Sequence, residues 1–234
     1  MTKTKSHFTL VAILVAAAMV VAGSVAIASN TGFKANKAMV PRLGTSTGQV
    51  GNNWLSIPYF NPYGNFAGLC TQTGLISAGI TRATVTKIEP NGVTTTAQCG
   101  TAAAGATAAN IIPGLGIRVT NGGTGAPTSI IMVGSHNPSL VITVPAKGAG
   151  PIGNYWFAVP YHTTAVTAAD LCLSSGLTST GLNRGSVTRL NASTGAFTSA
   201  NCGTAGAGTL TLVLGEAVRL TNPTVPVSFI PAHF

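Results

Sequence analysis

The residues whose types could do chemistry come in matched sets. Cys70, Cys99 and His136 recur as Cys172, Cys202 and His233. Two cysteines and a histidine are enough to start a zinc site, and a Cys–His pair can be a nucleophile with its base. The spacing argues against both, because the cysteines lie about 30 residues apart with no CxxC knuckle. An even number of cysteines, two at matching places in each copy, reads instead as a disulfide framework in an oxidising compartment, and the repetition selects Cys70–Cys99 and Cys172–Cys202. Closing a loop of about 30 residues contributes about 3 kcal/mol in the chain-entropy estimate. The acids do not recur. Glu89 aligns with Asn191, Asp170 with Gly68, and Glu216 near Leu115. Paired-carboxylate and Ser-His-Asp schemes therefore lack material in one copy or the other. Pro113-Gly114-Leu115-Gly116 is not followed by the Gly-Lys-Ser/Thr of a phosphate loop, and there is no CxxCH for covalent haem. The expectation is a non-enzymatic protein with no catalytic residue, metal site or cofactor.

Aromatic residues are sparse, at 6%, and four of them are paired by position: Trp54 with Trp156 and Tyr59 with Tyr161. They could form a stacking platform for sugars, but a chain this poor in aromatics needs them as core anchors beside each disulfide. Asn191-Ala192-Ser193 is a glycosylation sequon on a predicted turn.

The element that positions all of these is a stretch written twice. Trp54, Pro58, Tyr59, Leu69, Cys70, Gly74 and Leu75 return 102 positions later as Trp156, Pro160, Tyr161, Leu171, Cys172, Gly176 and Leu177. The match closes with Arg118-Val119-Thr120-Asn121 against Arg219-Leu220-Thr221-Asn222. Within each copy the alternation around Trp54 to Tyr59 fits a strand. A short helix follows, capped by Asn65 and stopped by Gly74 in one copy. In the other, Thr167-Ala-Ala-Asp170 makes a capping-box start and Gly176 the stop. Ile80–Ile88 and Gly92–Ala97 read as a hairpin around Pro90-Asn91-Gly92, with strands at Gly114–Thr120 and Ser129–Val133. The fold class expected is mostly β: two tandem homologous small sandwich or open-barrel domains, each with one short helix and one disulfide.

Composition narrows the setting. Only 6% of residues are charged and 45% are hydrophobic, so the surface suits a chain covered by other subunits. The net charge of +9 arises from having three acids rather than from any basic run; the bases are scattered singly. Nucleic acid is therefore not the expected partner, whereas an anionic envelope or polysaccharide surface suits a diffuse positive charge. Residues 1–28 read as an export signal with Lys3 and Lys5 in front, an apolar run, and Ala26-Ile27-Ala28 as the cleavage site. Membrane contact is expected only through that segment, and the mature chain is expected outside the cell or on its surface.

The parts are thus 1–28 signal, 29–50 donor strand and linker, 51–137 first β domain, 138–152 inter-domain strand and linker, and 153–234 second β domain. Ala38-Met39-Val40-Pro41 and Ile142-Thr143-Val144-Pro145 precede the two Trp strands in the same way, although Lys37 interrupts the apolar face of the first. If Leu140–Val144 completes the first domain, the second is left one strand short. The segment Phe33, Ala35, Ala38, Met39, Val40 and Pro41 would then be donated to an open edge of the next molecule. That edge comprises Val218, Leu220, Val225, Val227, Phe229 and Ile230. A contact of this kind does not close on itself, so the expected product is a head-to-tail homopolymer. The scheme resembles that of donor-strand pilins in its logic. The alternative from another class is a secreted monomeric adhesin or carbohydrate-binding module.

Overall fold

A computed structural model describes residues 32–76, 82–101, 109–122, 129–135 and 137–232. The signal segment, Thr81, His136, His233 and the side chain of Phe33 lie outside the described residues. Residues 34–234 form one compact unit.

The chain is mostly β. Its first half runs β1 (Phe33–Ala38), β2 (Asn52–Leu55), α1 (Phe66–Thr73), β3 (Thr84–Ile88), β4 (Thr94–Gln98), β5 (Ile117–Thr120) and β6 (Ser129–Gly134). Its second runs β7 (Ile142–Val144), β8 (Asn154–Ala158), α2 (Ala168–Ser175), β9 (Ser186–Leu190), β10 (Phe197–Asn201), a one-turn α3 (Ala205–Thr209), β11 (Ala217–Thr221) and β12 (Val227–Phe229). Two antiparallel four-stranded sheets have the same order, β2-β5-β3-β4 and β8-β11-β9-β10. Corresponding pairs keep register: Trp54 faces Arg118 and Leu55 faces Ile117, as Trp156 faces Arg219 and Phe157 faces Val218.

Strand alternation builds two cores. Leu55, Val85, Ala97, Ile117 and Val119 point inward with Phe66 and Leu69 of α1. Phe157, Val187, Ala200, Val218 and Leu220 do the same with Leu171 of α2. α1 and α2 each begin on a side-chain cap and stop at a glycine in the left-handed region, Gly74 (φ 68°) and Gly176 (φ 70°), where a side chain would be strained. Disulfides Cys70–Cys99 and Cys172–Cys202 tie each helix to the strand leaving its hairpin, both with Cα atoms 5.6 Å apart.

The remaining strands pair differently from expectation. β7 joins β12, with Val144 opposite Val227 and Ile142 opposite Phe229, and the Thr143 and Ser228 hydroxyls 2.9 Å apart. β1 joins β6. Each half thus takes the strand that precedes it, and Leu140–Val144 does not complete the first half. The reason is packing: Ile142 and Val144 are buried in the second core with Phe157 and Phe229. The supposed acceptor edge is accordingly not open. Val218 and Leu220 sit on β11 between β8 and β9, while Val227 and Phe229 are covered by β7. Val225 and Ile230 are exposed, at the two ends of β12.

Candidate functional site at the joint between the halves

The two sheets meet about an approximate two-fold axis marked by the tryptophans. Trp54 and Trp156 stack with ring centroids 3.5 Å apart and planes within 6°. Hydrogen bonds come in related pairs around them. Ser56 N–H donates to Gly215 O (3.0 Å) as Ala158 N–H donates to Gly114 O (2.9 Å). Tyr161 donates its hydroxyl to Ser56 O (3.1 Å) as Tyr59 does to Ala158 O (2.9 Å). At the centre a Cβ on Gly116 would collide with the Ala217 methyl, so the backbones approach this closely only because Gly116 has none. The turn of each hairpin rests on the loop before the other half's Trp strand, through Gly51 N–H to Ala192 O and Gly153 N–H to Pro90 O.

These contacts relocate the expected core anchors. Trp54 and Trp156 form a separate cluster with Leu190 and Ala217, away from both disulfides. Each ring is 5% exposed and covered by the other, so neither offers a stacking face to a sugar. Tyr161 packs on the opposite half's core rather than its own. Burial pushes the phenols of Tyr59, Tyr155 and Tyr161 well above their ordinary range, and the Tyr59 and Tyr161 hydroxyls stay protonated donors.

The two-fold relation fails where β1 meets the joint. A Cβ on Gly215 would meet Lys37 Cδ at 3.2 Å, with the Tyr161 hydroxyl and Met132 Cε close behind; a Cβ on the corresponding Gly114 would meet the apolar ends of Ile142 and Leu140. Glu216, next to Gly215, takes the position that Leu115 holds next to Gly114. Lys37 Nζ donates to Glu216 Oε1 at 2.8 Å and Arg189 Nε to Glu216 Oε2 at 2.7 Å. On the other side Leu115 and Ile142 pack into the second core, and Lys87, at the place of Arg189, pairs with Glu89 at 3.0 Å. Over the ion triad opens a cleft of about 290 Å³ whose further lining includes Asn53, Trp54, Asn191 and Ser193.

The donor segment is anchored beside this cleft. Val40 N–H donates to Asn53 Oδ1 (2.8 Å), and Asn53 Nδ2 donates to Val40 O (2.9 Å), so the amide reads that backbone as a strand would. Met39 is buried in the first core, Ala35, Val40 and Pro41 are half-buried, and Ala38 is exposed.

Most remaining bases serve the fold. Arg42 bonds Gly48 O and Val50 O, Lys147 bonds the carbonyls of Gly148, Gly150 and Ile152, and Arg184 bonds those of Gly181 and Gly203. Arg118 and Arg219, related by the axis, each donate to a buried threonine hydroxyl, Thr86 and Thr188, at 3.3 Å. Burial holds both guanidiniums below their ordinary range, with Arg42 adding to the effect at Arg118. Among the described residues no group of three or more His, Cys, Asp or Glu could hold a metal ion, and no helix is long and apolar enough to cross a membrane. Compared with known protein families, curated proteins and solved structures, the chain matches none.

Proposed function

We propose that this chain is an exported, non-enzymatic structural subunit of two homologous β modules that assembles with copies of itself into an extracellular filament or layer. Two disulfides and a charge-poor composition suit an oxidising, extracellular setting. Exposed Val166, Leu173, Leu182, Leu214 and Val225 suit a surface that other subunits cover.

The observation that carries the proposal is the equivalence of the β1–β6 and β7–β12 pairs. β7 is tethered at both ends. β1, once the leader is cleaved, is tethered at one end only, and it can leave its own β6 for that of another copy without net loss of hydrogen bonds. The strand donated is the expected one, but its acceptor is β6 of the neighbour, because β12 is already occupied. A diffuse positive charge would also draw such an assembly to an anionic envelope or polysaccharide.

Electron microscopy of the mature protein should show fibres or sheets of regular repeat. A form lacking residues 29–45 should stay monomeric and bind a synthetic peptide of that segment. Fibres that persist without the segment, or a mature protein that remains monomeric when concentrated, would defeat strand exchange. The second reading, a discrete secreted adhesin or carbohydrate-binding module, is favoured by β1 closing on its own half and by the cleft beside it.

A further inference from the structure

We infer that the cleft over Lys37, Glu216 and Arg189 binds a single carboxylated sugar unit, a uronate, with Arg189 as its anchor. The first argument is the broken symmetry. At the related position the molecule fills the space with Leu115, Leu140 and Ile142, which shows that an apolar closure is compatible with this backbone. A partly buried ion cluster gains little or nothing over apolar packing of similar volume. The triad is therefore not explained by stability, and an open cleft lies over it.

The second argument is chemical balance. Lys37 and Arg189 bring two positive charges against the one carboxylate of Glu216, and both Glu216 oxygens are taken. Arg189 uses Nε on Glu216; its two Nη groups make no hydrogen bond among the described residues. Those groups form a planar fork that fits a second carboxylate, which would also neutralise the residual charge. The rim supplies partners for hydroxyls. Asn191 Oδ1 is occupied by the N–H groups of Ser193 and Thr194, which turns its Nδ2 into the available donor. The Ser193 hydroxyl is without a partner among the described residues. The volume equals roughly ten waters, room for one sugar ring and not for a long oligosaccharide.

The test uses the full mature chain with sodium galacturonate and sodium glucuronate as probes, glucose and acetate as controls, read by amide and arginine side-chain NMR shifts. A uronate should shift Lys37, Arg189 and Ser193 signals saturably, glucose should shift none, and acetate should bind more weakly. Arg189→Gln should weaken uronate binding roughly tenfold or more, the loss of a charge-assisted fork, with an unchanged thermal midpoint because Lys37 still pairs with Glu216. Ser193→Ala should weaken uronate and leave acetate unaffected. Absence of shifts with both uronates, a uronate affinity unchanged by Arg189→Gln, or equal binding of acetate and uronate would each overturn the assignment. The shifts are read on monomeric protein, in which β1 closes on its own half, so they report on the cleft separately from fibre formation.

Discussion

The two halves repeat one strand order, one staple and one tryptophan, and they part company where their backbones cross. On one side of the joint Ile142 and Leu115 are buried in the second apolar core; on the other Lys37, Glu216 and Arg189 form an ion triad under a cleft. What the halves share, the paired sheets and the Trp54–Trp156 stack, is what any such fold needs in order to close. What they do not share is where the chain departs from the economical solution its own other half displays. Symmetry inside a single chain thus acts as a control for reading function.

The comparison breaks first at the stack. Trp156→Ala removes a ring that is 5% exposed and leaves Trp54 facing a void, at a cost of about 3–5 kcal/mol. If the joint makes residues 34–234 one cooperative unit, calorimetry should show the single transition of the parent split in two, with both disulfides intact. Trp54→Ala should act alike, since the rings are related by the axis. A single transition in both variants would place the coupling elsewhere, in the hairpin turns that rest on the opposite loops.

The triad offers a sharper test, because one half can be rewritten in the image of the other. Glu216→Leu alone strands Lys37 and Arg189 at side chains 13% and 29% exposed and should lose about 1–3 kcal/mol. Adding Lys37→Ile copies the apolar closure and leaves only Arg189, 29% exposed, without its carboxylate, so the double variant should return to within about 1 kcal/mol of the parent in urea unfolding. A double variant as unstable as Glu216→Leu would mean that the triad does hold the joint together, and the argument from broken symmetry would lose its force.

Much of this was legible before any coordinates. The disulfide partners follow from two cysteines per copy, and Asn65, Thr167, Asp170 and both terminal glycines mark the helices, because caps are local chemistry. The ownership of β7 was not legible. Ile142-Thr143-Val144 alternates equally well for either sheet, and only burial against Phe157 and Phe229 decides. The Trp stack was half visible: repetition flags both residues, but a contact between copies is set by how two sheets cross, which no strand pattern encodes. The cleft left two faint marks, Lys37 interrupting an apolar strand and Glu216 standing where the other copy has Leu115. Their meeting with Arg189 joins positions far apart in the chain.

The smallest expected effect separates the halves by pH. In α2 the Asp170 carboxylate accepts from the backbone N–H and hydroxyl of Thr167 and from the N–H of Val166, which hold it below the ordinary carboxylate range. In α1 Gly68 stands in the place of Asp170, and the cap is Asn65 alone, which accepts from Gly68 N–H and does not titrate. A depressed folded-state pKa contributes stability that is present above the unfolded value near 3.8 and is lost as pH falls through the folded value. Asp170→Asn should therefore lower stability by about 0.5 kcal/mol near neutrality, small because the group is exposed. That difference from the parent should shrink toward zero in acid unfolding followed down to about pH 2. Asn65→Ala should lower stability by a similar amount at every pH. If the Asp170→Asn deficit stays constant across the acid range, the carboxylate is not capping α2 as an anion, and the two helices start in the same way after all.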